Sequence, residues 1–252
     1  MSQLKLLSPL SGQVWPLERI PDPVFAQKMV GDGLSIDPTD AVLLAPCDAE
    51  VISLHAAGHA VNLLTEEGLE VLLHIGIDTV SLKGEGFRPQ VKAGDRVREG
   101  APLIEFDLDF LATHAKSLLT QVVITNSERV QSWERASGTV SAGKEVLLTL
   151  TLASEQASAT ETGAETVVSD AIIVPNPTGL HARPAAVLAN LAKSFRSSIK
   201  LQLGDRQANA RSVTAIMGLE VGHNVSVRLL ASGPDAHEAV AKIAPVITQG
   251  CG

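Results

Sequence analysis

The sequence predicts two domains: an all-β sandwich or barrel over residues 1–152, and an α+β open-faced sandwich of order βαββαβα over residues 170–252. Three observations carry this. Gly- and Pro-Asp-rich turns ("SPLSG", "IPDP", "VGDG", "DPTD", "APCD", "KAGD", "REGAP") cut the first 150 residues into short strand-like runs. After residue 170, apolar residues alternate between period 2 and period 3.6. Between these regions, "ASEQASATETGAETVVS" (153–169) holds almost no large apolar residue, a flexible-linker composition.

The 252 residues suit one large domain or two small ones, and 45% apolar content with only 3% aromatics predicts aliphatic cores. No apolar run reaches the ~18 residues of a membrane helix. The start, "MSQLKLLSPLSGQVW", has neither the apolar core nor the cleavage site of a signal peptide. Cys47 and Cys251 lie far apart and suggest no disulfide framework. A cytoplasmic protein with reduced thiols is expected.

Charge is unevenly divided. Residues 1–152 carry 12 Lys+Arg against 20 Asp+Glu, the linker carries three Glu, and residues 170–252 carry 8 against 5, giving −8, −3 and +3. Opposite signs favour encounter between such domains or with similar partners. A net +3 without aromatics beside the arginines argues against nucleic-acid binding.

In the first domain, "DLDFLATHAKSLL" is the one helical turn, and His114 sits there without a role. The informative segment is "HAVNLLTEEGLEVLLHIGIDTV", where His59–Leu64 and Leu69–Ile75 read as strands around a "TEEG" turn. An even-length loop centred between Glu66 and Glu67 places His59 directly opposite His74, whereas an odd loop would turn the two rings to opposite faces. The even loop is expected. Such a pair has three readings: a chance cross-strand neighbour, half of a metal site with Asp78, or a nucleophilic imidazole oriented by its partner.

In the second domain, "AIIVP" reads as a strand. In "AAVLANLAKSF", Leu188, Leu191, Ala192 and Phe195 share one helical face. "SSIKLQL" alternates as a strand, "RQANA" is a weaker one, "SVTAIM" is a short helix, "NVSVRLLA" a strand and "DAHEAVAKIA" a helix that Pro245 should end or kink.

The string "GLHARPAA" places His181 at the cap of the first of these helices, with Ala182, Arg183 and Pro184 in its first turn. First-turn N–H groups lack intrahelical acceptors, so those of Ala182 and Arg183 form an anion site that the Arg183 side chain strengthens. An imidazole there can take a phosphoryl group, or it can simply cap a helix.

The full string "GLHARPAA" resembles the active-site motif of HPr, the phosphocarrier of the bacterial sugar phosphotransferase system, over about 80 residues. The resemblance implies that His181 is the phosphorylated histidine and Arg183 its arginine. "ARSVTAIMGL" resembles the HPr segment that holds a regulatory serine, which falls on Ser212; an ordinary N-cap serine is the alternative. Thr178 stands where many HPr proteins have Asn.

"HIGIDTVSLKGEGF" and "IPDPVFAQKMVGDG" resemble enzyme IIA of the glucose type from the same system, over nearly all of residues 4–150. That resemblance implies that His74 is phosphorylated, His59 is its partner, Asp22 and Asp78 are the flanking acidic pair, and Phe25 belongs to the apolar rim. Ala57 replaces a frequent Thr, His55 and Leu72 replace rim phenylalanines, and the family's N-terminal helical segment is missing.

Together the resemblances imply a fused phosphocarrier. Phosphate would pass from enzyme I to His181, then to His74, then to a cysteine of an enzyme IIB domain. Phosphoenolpyruvate would be the ultimate donor, with no cofactor or metal. Asp22 and Asp78 would face Arg183 and Arg211 during transfer. The partners implied are enzyme I and an enzyme IIB/IIC sugar permease for glucose or N-acetylglucosamine, with the membrane reached only through the permease. The ending "ITQGCG" falls where the HPr-like part should stop, and related fusions continue into an enzyme I region, so the resemblance leaves open a longer chain of which this is a fragment. One rival is a biotinyl or lipoyl carrier, because "VKAGDRVREGAPLIEFD" resembles their Gly-Asp-x-Val turn; Lys83, in "SLKGEG", lies in the wrong context. The other is a binding module whose histidines are never phosphorylated.

Overall fold

The computed structural model describes residues 2–153 and 166–251. The chain divides into two compact units near residue 155.

The first unit is a sandwich of open antiparallel sheets, so the barrel alternative does not hold. Its main sheet has eight strands in the spatial order Thr139–Val140, Gly12–Pro16, Asp32–Pro38, Thr120–Ile124, Glu70–His74, Ala60–Thr65, Ala49–Leu54 and Arg96–Val97. Two three-stranded sheets complete it, centred on Val146–Leu152 and Pro102–Phe106. Alternation decides which side chains turn inward. Val71 and Leu73, Leu63, Val122 and Ile124 join Leu6, Leu103 and Leu148 in one aliphatic core. Burying each such side chain is worth about 1.5–3 kcal/mol, more than the ~1 kcal/mol spread of strand propensity, so burial sets the register.

The hairpin departs from the expected register. Ala60 pairs with His74, Val61 with Leu73 and Leu64 with Glu70. Thr65 N–H donates to Leu69 O at 3.0 Å, so the loop is Glu66-Glu67-Gly68, three residues long. The cause is Gly68, at φ +77°. A three-residue hairpin loop ends in a left-handed residue, which glycine adopts without strain. The even loop predicted above is therefore wrong, and His59 lies opposite Ile75, whose N–H donates to His59 O at 2.9 Å.

The second unit follows the predicted order. Strands Ser226–Ser232, Ser198–Leu203 and Arg206–Asn209 lie side by side, and Ile172–Ile173 pairs with Ser226–Ser232. Val227, Leu229 and Ala231, with Ile199 and Leu201, turn toward helices Ala182–Lys193, Val213–Gly218 and Ala236–Thr248, while Arg228 and Lys200 stay exposed on the other face. That is the open-faced arrangement.

Two expectations need correction here. Of the linker predicted over 153–169, residues 154–165 lie outside the described residues, but its end belongs to the sheet. Thr166–Val168 pairs with Leu230–Ser232, and buried Ser169 accepts the Leu229 N–H on its Oγ at 2.9 Å. The β-branched Thr-Val-Val run is a strand signal that the surrounding Ala, Ser and Glu mask. Pro245 does not end the last helix, which continues to Thr248. Gln249 N–H still donates to Pro245 O at 2.9 Å, and buried Ile243 and Ile247 hold both sides of the proline on the sheet. Among the described residues no helix is long and apolar enough to cross a membrane.

Candidate functional site

His74 ends a central strand of the main sheet. Val71 and Leu73 of that strand face the core, so Leu72 and His74 face the opposite side. There His74 is flanked by Ala60 on one neighbouring strand and buried Gln121 on the other. Phe25, from the short helix Pro23–Ala26, packs on the His74 ring with centroids 5.4 Å apart. Asp22 caps that helix by accepting the Val24 N–H at 2.8 Å, so it is held in place and largely buried.

The two rings meet despite the changed register. Their centroids are 4.9 Å apart, at 80°. His59 precedes the first residue of its strand, in a bend that follows Gly58 at φ +67°, so strict strand alternation does not fix its side. The expected ring contact is present although the loop has an odd number of residues. His55 adds a third ring, 4.4 Å from His59 at 62°, and Phe87 lies 6.2 Å from His59.

The chemistry of His74 follows from one hydrogen bond. Its Nδ1 lies 3.0 Å from Gly76 O, and a carbonyl only accepts, so Nδ1 carries the proton. The neutral ring then has its lone pair on Nε2, which makes Nε2 the nucleophile. The carbonyl is aimed by a tight turn. Gly76 has φ +70°, and a Cβ there would meet Thr79 Cγ2 at 2.6 Å and Ser117 O at 2.9 Å. Thr79 Oγ1 braces the turn by donating to Ile75 O at 2.6 Å. Asp78, next in the chain, has φ +59° and lies 3.9 Å from Lys116 Nζ, its side chain 61% exposed.

In the second unit, His181 is the N-cap of Ala182–Lys193, in extended conformation, with no side-chain cap bond of its own. Ala185 N–H donates to His181 O at 2.9 Å, the first bond of the helix. Ala182 and Pro184 are buried, while the Arg183 side chain is exposed at the rim.

Residues 4–130 match the family model described as phosphoenolpyruvate-dependent sugar phosphotransferase system, EIIA 1. The chain belongs to this family. Residues 168–249 match a second model, PTS HPr component phosphorylation site. A glucose-specific EIIA component of Staphylococcus epidermidis is 46% identical over 129 residues, covering 51% of this chain and 78% of that protein. A glucose-specific EIICBA component of Staphylococcus saprophyticus is 47% identical over 127 residues, covering 50% of this chain and 19% of that protein. Among solved structures, the glucose permease IIA from Mycoplasma capricolum is 32% identical with a TM-score of 0.57, covering 59% of this chain and 96% of that one. The chain thus joins an EIIA unit to an HPr unit and is a phosphocarrier of the sugar phosphotransferase system.

Two residues of the HPr unit have contacts that the sequence did not show. Arg211, implied at the transfer interface, donates from Nη2 to Phe195 O at 2.6 Å and Ser197 O at 3.0 Å. These bonds close the carbonyl end that follows Ala182–Lys193. Ser212 is an N-cap, accepting the Ala215 N–H on its Oγ at 3.0 Å and lying 2.9 Å from Thr214 Oγ1.

Three contributors were not recognised in the sequence. Gln121 interrupts the apolar run "QVVIT", a signal that could have marked it; Gly76 and Thr79 lie in the quoted "HIGIDT" but reveal their roles only through the turn. Neither cysteine is a thiolate at neutral pH. Burial pushes the Cys47 thiol up to about 12 and Cys251 up to about 11.

Burial also pushes the His74 imidazole down from 6.5 to about 4, with the Gly76 carbonyl opposing and His55 adding to the shift. The unfolded chain binds a proton at this residue below pH 6.5, whereas the folded unit does not until about pH 4. Stability is therefore complete above pH 6.5 and falls as pH drops toward 4, by up to roughly 3 kcal/mol. Urea unfolding of the EIIA unit at pH 7 and pH 4.5 measures this. His74→Gln should flatten the dependence, and an unchanged slope in that variant would assign the effect to other groups.

Proposed function

We propose that this chain relays a phosphoryl group from enzyme I to His181, then to His74, and then to a cysteine of an enzyme IIB domain of a glucose permease. The reading rests on one observation above others: burial holds His74 neutral, and its Nδ1 proton is directed at Gly76 O, which leaves the lone pair of the neutral ring on Nε2. That is the state of an imidazole that attacks phosphorus. The names of the related proteins support glucose as the sugar.

In the first step, enzyme I, itself charged by phosphoenolpyruvate, phosphorylates His181. The helix N-terminus and Arg183 draw the phosphoryl oxygens. In the second step, Nε2 of His74 attacks phosphorus; the new N–P bond forms as the N–P bond to His181 breaks. With phospho-His181 protonated on its other nitrogen, His181 leaves as neutral imidazole. His74 keeps its Nδ1 proton throughout, so the charge balances without an external base. Asp22 and Asp78 would meet the exposed Arg183 in that encounter, in line with the −8 and +3 charges of the two parts. In the third step, the thiolate of a IIB cysteine attacks phosphorus; the S–P bond forms as the N–P bond to Nε2 of His74 breaks, and His74 leaves as neutral imidazole with its Nδ1 proton, with His59 assisting the phosphoryl oxygens. Within this chain the relay would use imidazoles alone, without cofactor or metal, and the protein would act in the cytoplasm with its permease at the membrane. Ser212 is a candidate regulatory phosphosite, and phosphate there would carry about −1.5 to −2 charges beside a helix start.

The order is tested by single-turnover labelling with enzyme I and labelled phosphoenolpyruvate. Acid-labile label should appear on His181 before His74, and His181→Gln should leave both sites unlabelled. Label on His74 in His181→Gln would show that enzyme I bypasses the HPr unit.

A further inference from the structure

Four rings form a row at the end of the central hairpin: Phe25, His74, His59 and His55. The relay read above uses the middle two and leaves His55 without a part. We propose that His55 is a positioning residue, which holds the plane of the His59 imidazole so that His59 meets the phosphoryl group on His74.

The chain builds His55 as a fixed wall. Its N–H donates to Ala60 O at 2.9 Å, so its backbone is anchored to the neighbouring strand. Its carbonyl accepts the Gly58 N–H at 2.7 Å, closing a four-residue turn from His55 to Gly58. Its own Nδ1 accepts the Ala57 N–H at 3.2 Å, which ties the ring to that turn and places the neutral ring's proton on Nε2. His59 stands one residue past the turn, in a bend before its strand begins. Its ring meets His55 at 4.4 Å and 62°, His74 at 4.9 Å and Phe87 at 6.2 Å, so His55 is one of the walls that set its plane. An edge-to-face contact of this kind fixes a ring plane. The inference also explains why the spacing "HAAGH" works: four residues bring the two imidazoles together across one tight turn.

The inference rests on the proposed role of His59 in discharge, and the experiment separates the two. Acceptance of phosphate from His181 and discharge to an isolated IIB domain are timed in His55→Ala, His55→Phe, His59→Gln and the double variant His55→Ala/His59→Gln. His55→Ala should slow discharge roughly tenfold, as misplacement of a reacting group does, and leave acceptance within about twofold. His55→Phe keeps a ring and should match the parent. The double variant should be no slower than His59→Gln, because His55 acts only through His59. Equal slowing of both steps, additive losses, or a slow His55→Phe would overturn the proposal. A second readout does not depend on the relay. The ¹⁵N shifts of the His59 ring in the unphosphorylated chain should move in His55→Ala and stay in place in His55→Phe. Should His59→Gln discharge normally, the relay role of His59 fails, and these shifts still decide whether His55 sets its plane.

Discussion

Replacing His74 by Gln should leave the EIIA unit unable to accept any phosphoryl group, while label from enzyme I still accumulates on His181. Gln keeps a donor that could reach Gly76 O but has no nucleophilic nitrogen in place of Nε2. The loss is therefore complete rather than graded. The measurement is acid-labile, base-stable phosphate on each unit after limited proteolysis between them, with circular dichroism as the control for folding. Phosphate on the EIIA unit of this variant would mean that another residue is the acceptor. His59, 4.9 Å away, would be the first to examine.

His59→Gln should fail at a different step. Nε2 of His74 and its Gly76 contact remain, so the unit should still take phosphate from His181. Discharge to the IIB cysteine should slow by roughly 10²–10³-fold, because the amide of Gln does not put its N–H where the imidazole N–H meets the developing charge. Rapid-quench transfer to a isolated IIB domain reads this directly. A variant that accepts poorly and discharges at the parent rate would show that the two histidines have been assigned the wrong way round. Parent rates in both steps would return the pair to a chance contact.

Much of this was legible in the chain itself. Period-2 alternation around "TEEG" and the apolar positions of "AAVLANLAKSF" report local geometry, and local geometry is what side-chain spacing encodes. The sequence by itself determined the strands, the order βαββαβα and the cap position of His181, because each depends on neighbours in the chain. It also carried the signal for a three-residue loop in Gly68, which the reading passed over. Tertiary structure alone decided the rest. The rings of His59 and His74 meet although the register sets them one position apart, because His59 lies in the bend that follows Gly58, and a strand pattern does not encode a bend. Pro245 sits inside a helix because Ile243 and Ile247 are buried against the sheet, a long-range contact that outweighs a local breaker. Only folding brings the Phe195 and Ser197 carbonyls to Arg211, whose Nη2 donates to both. His55 looks like a substitution on the rim until the turn after it places its ring against His59.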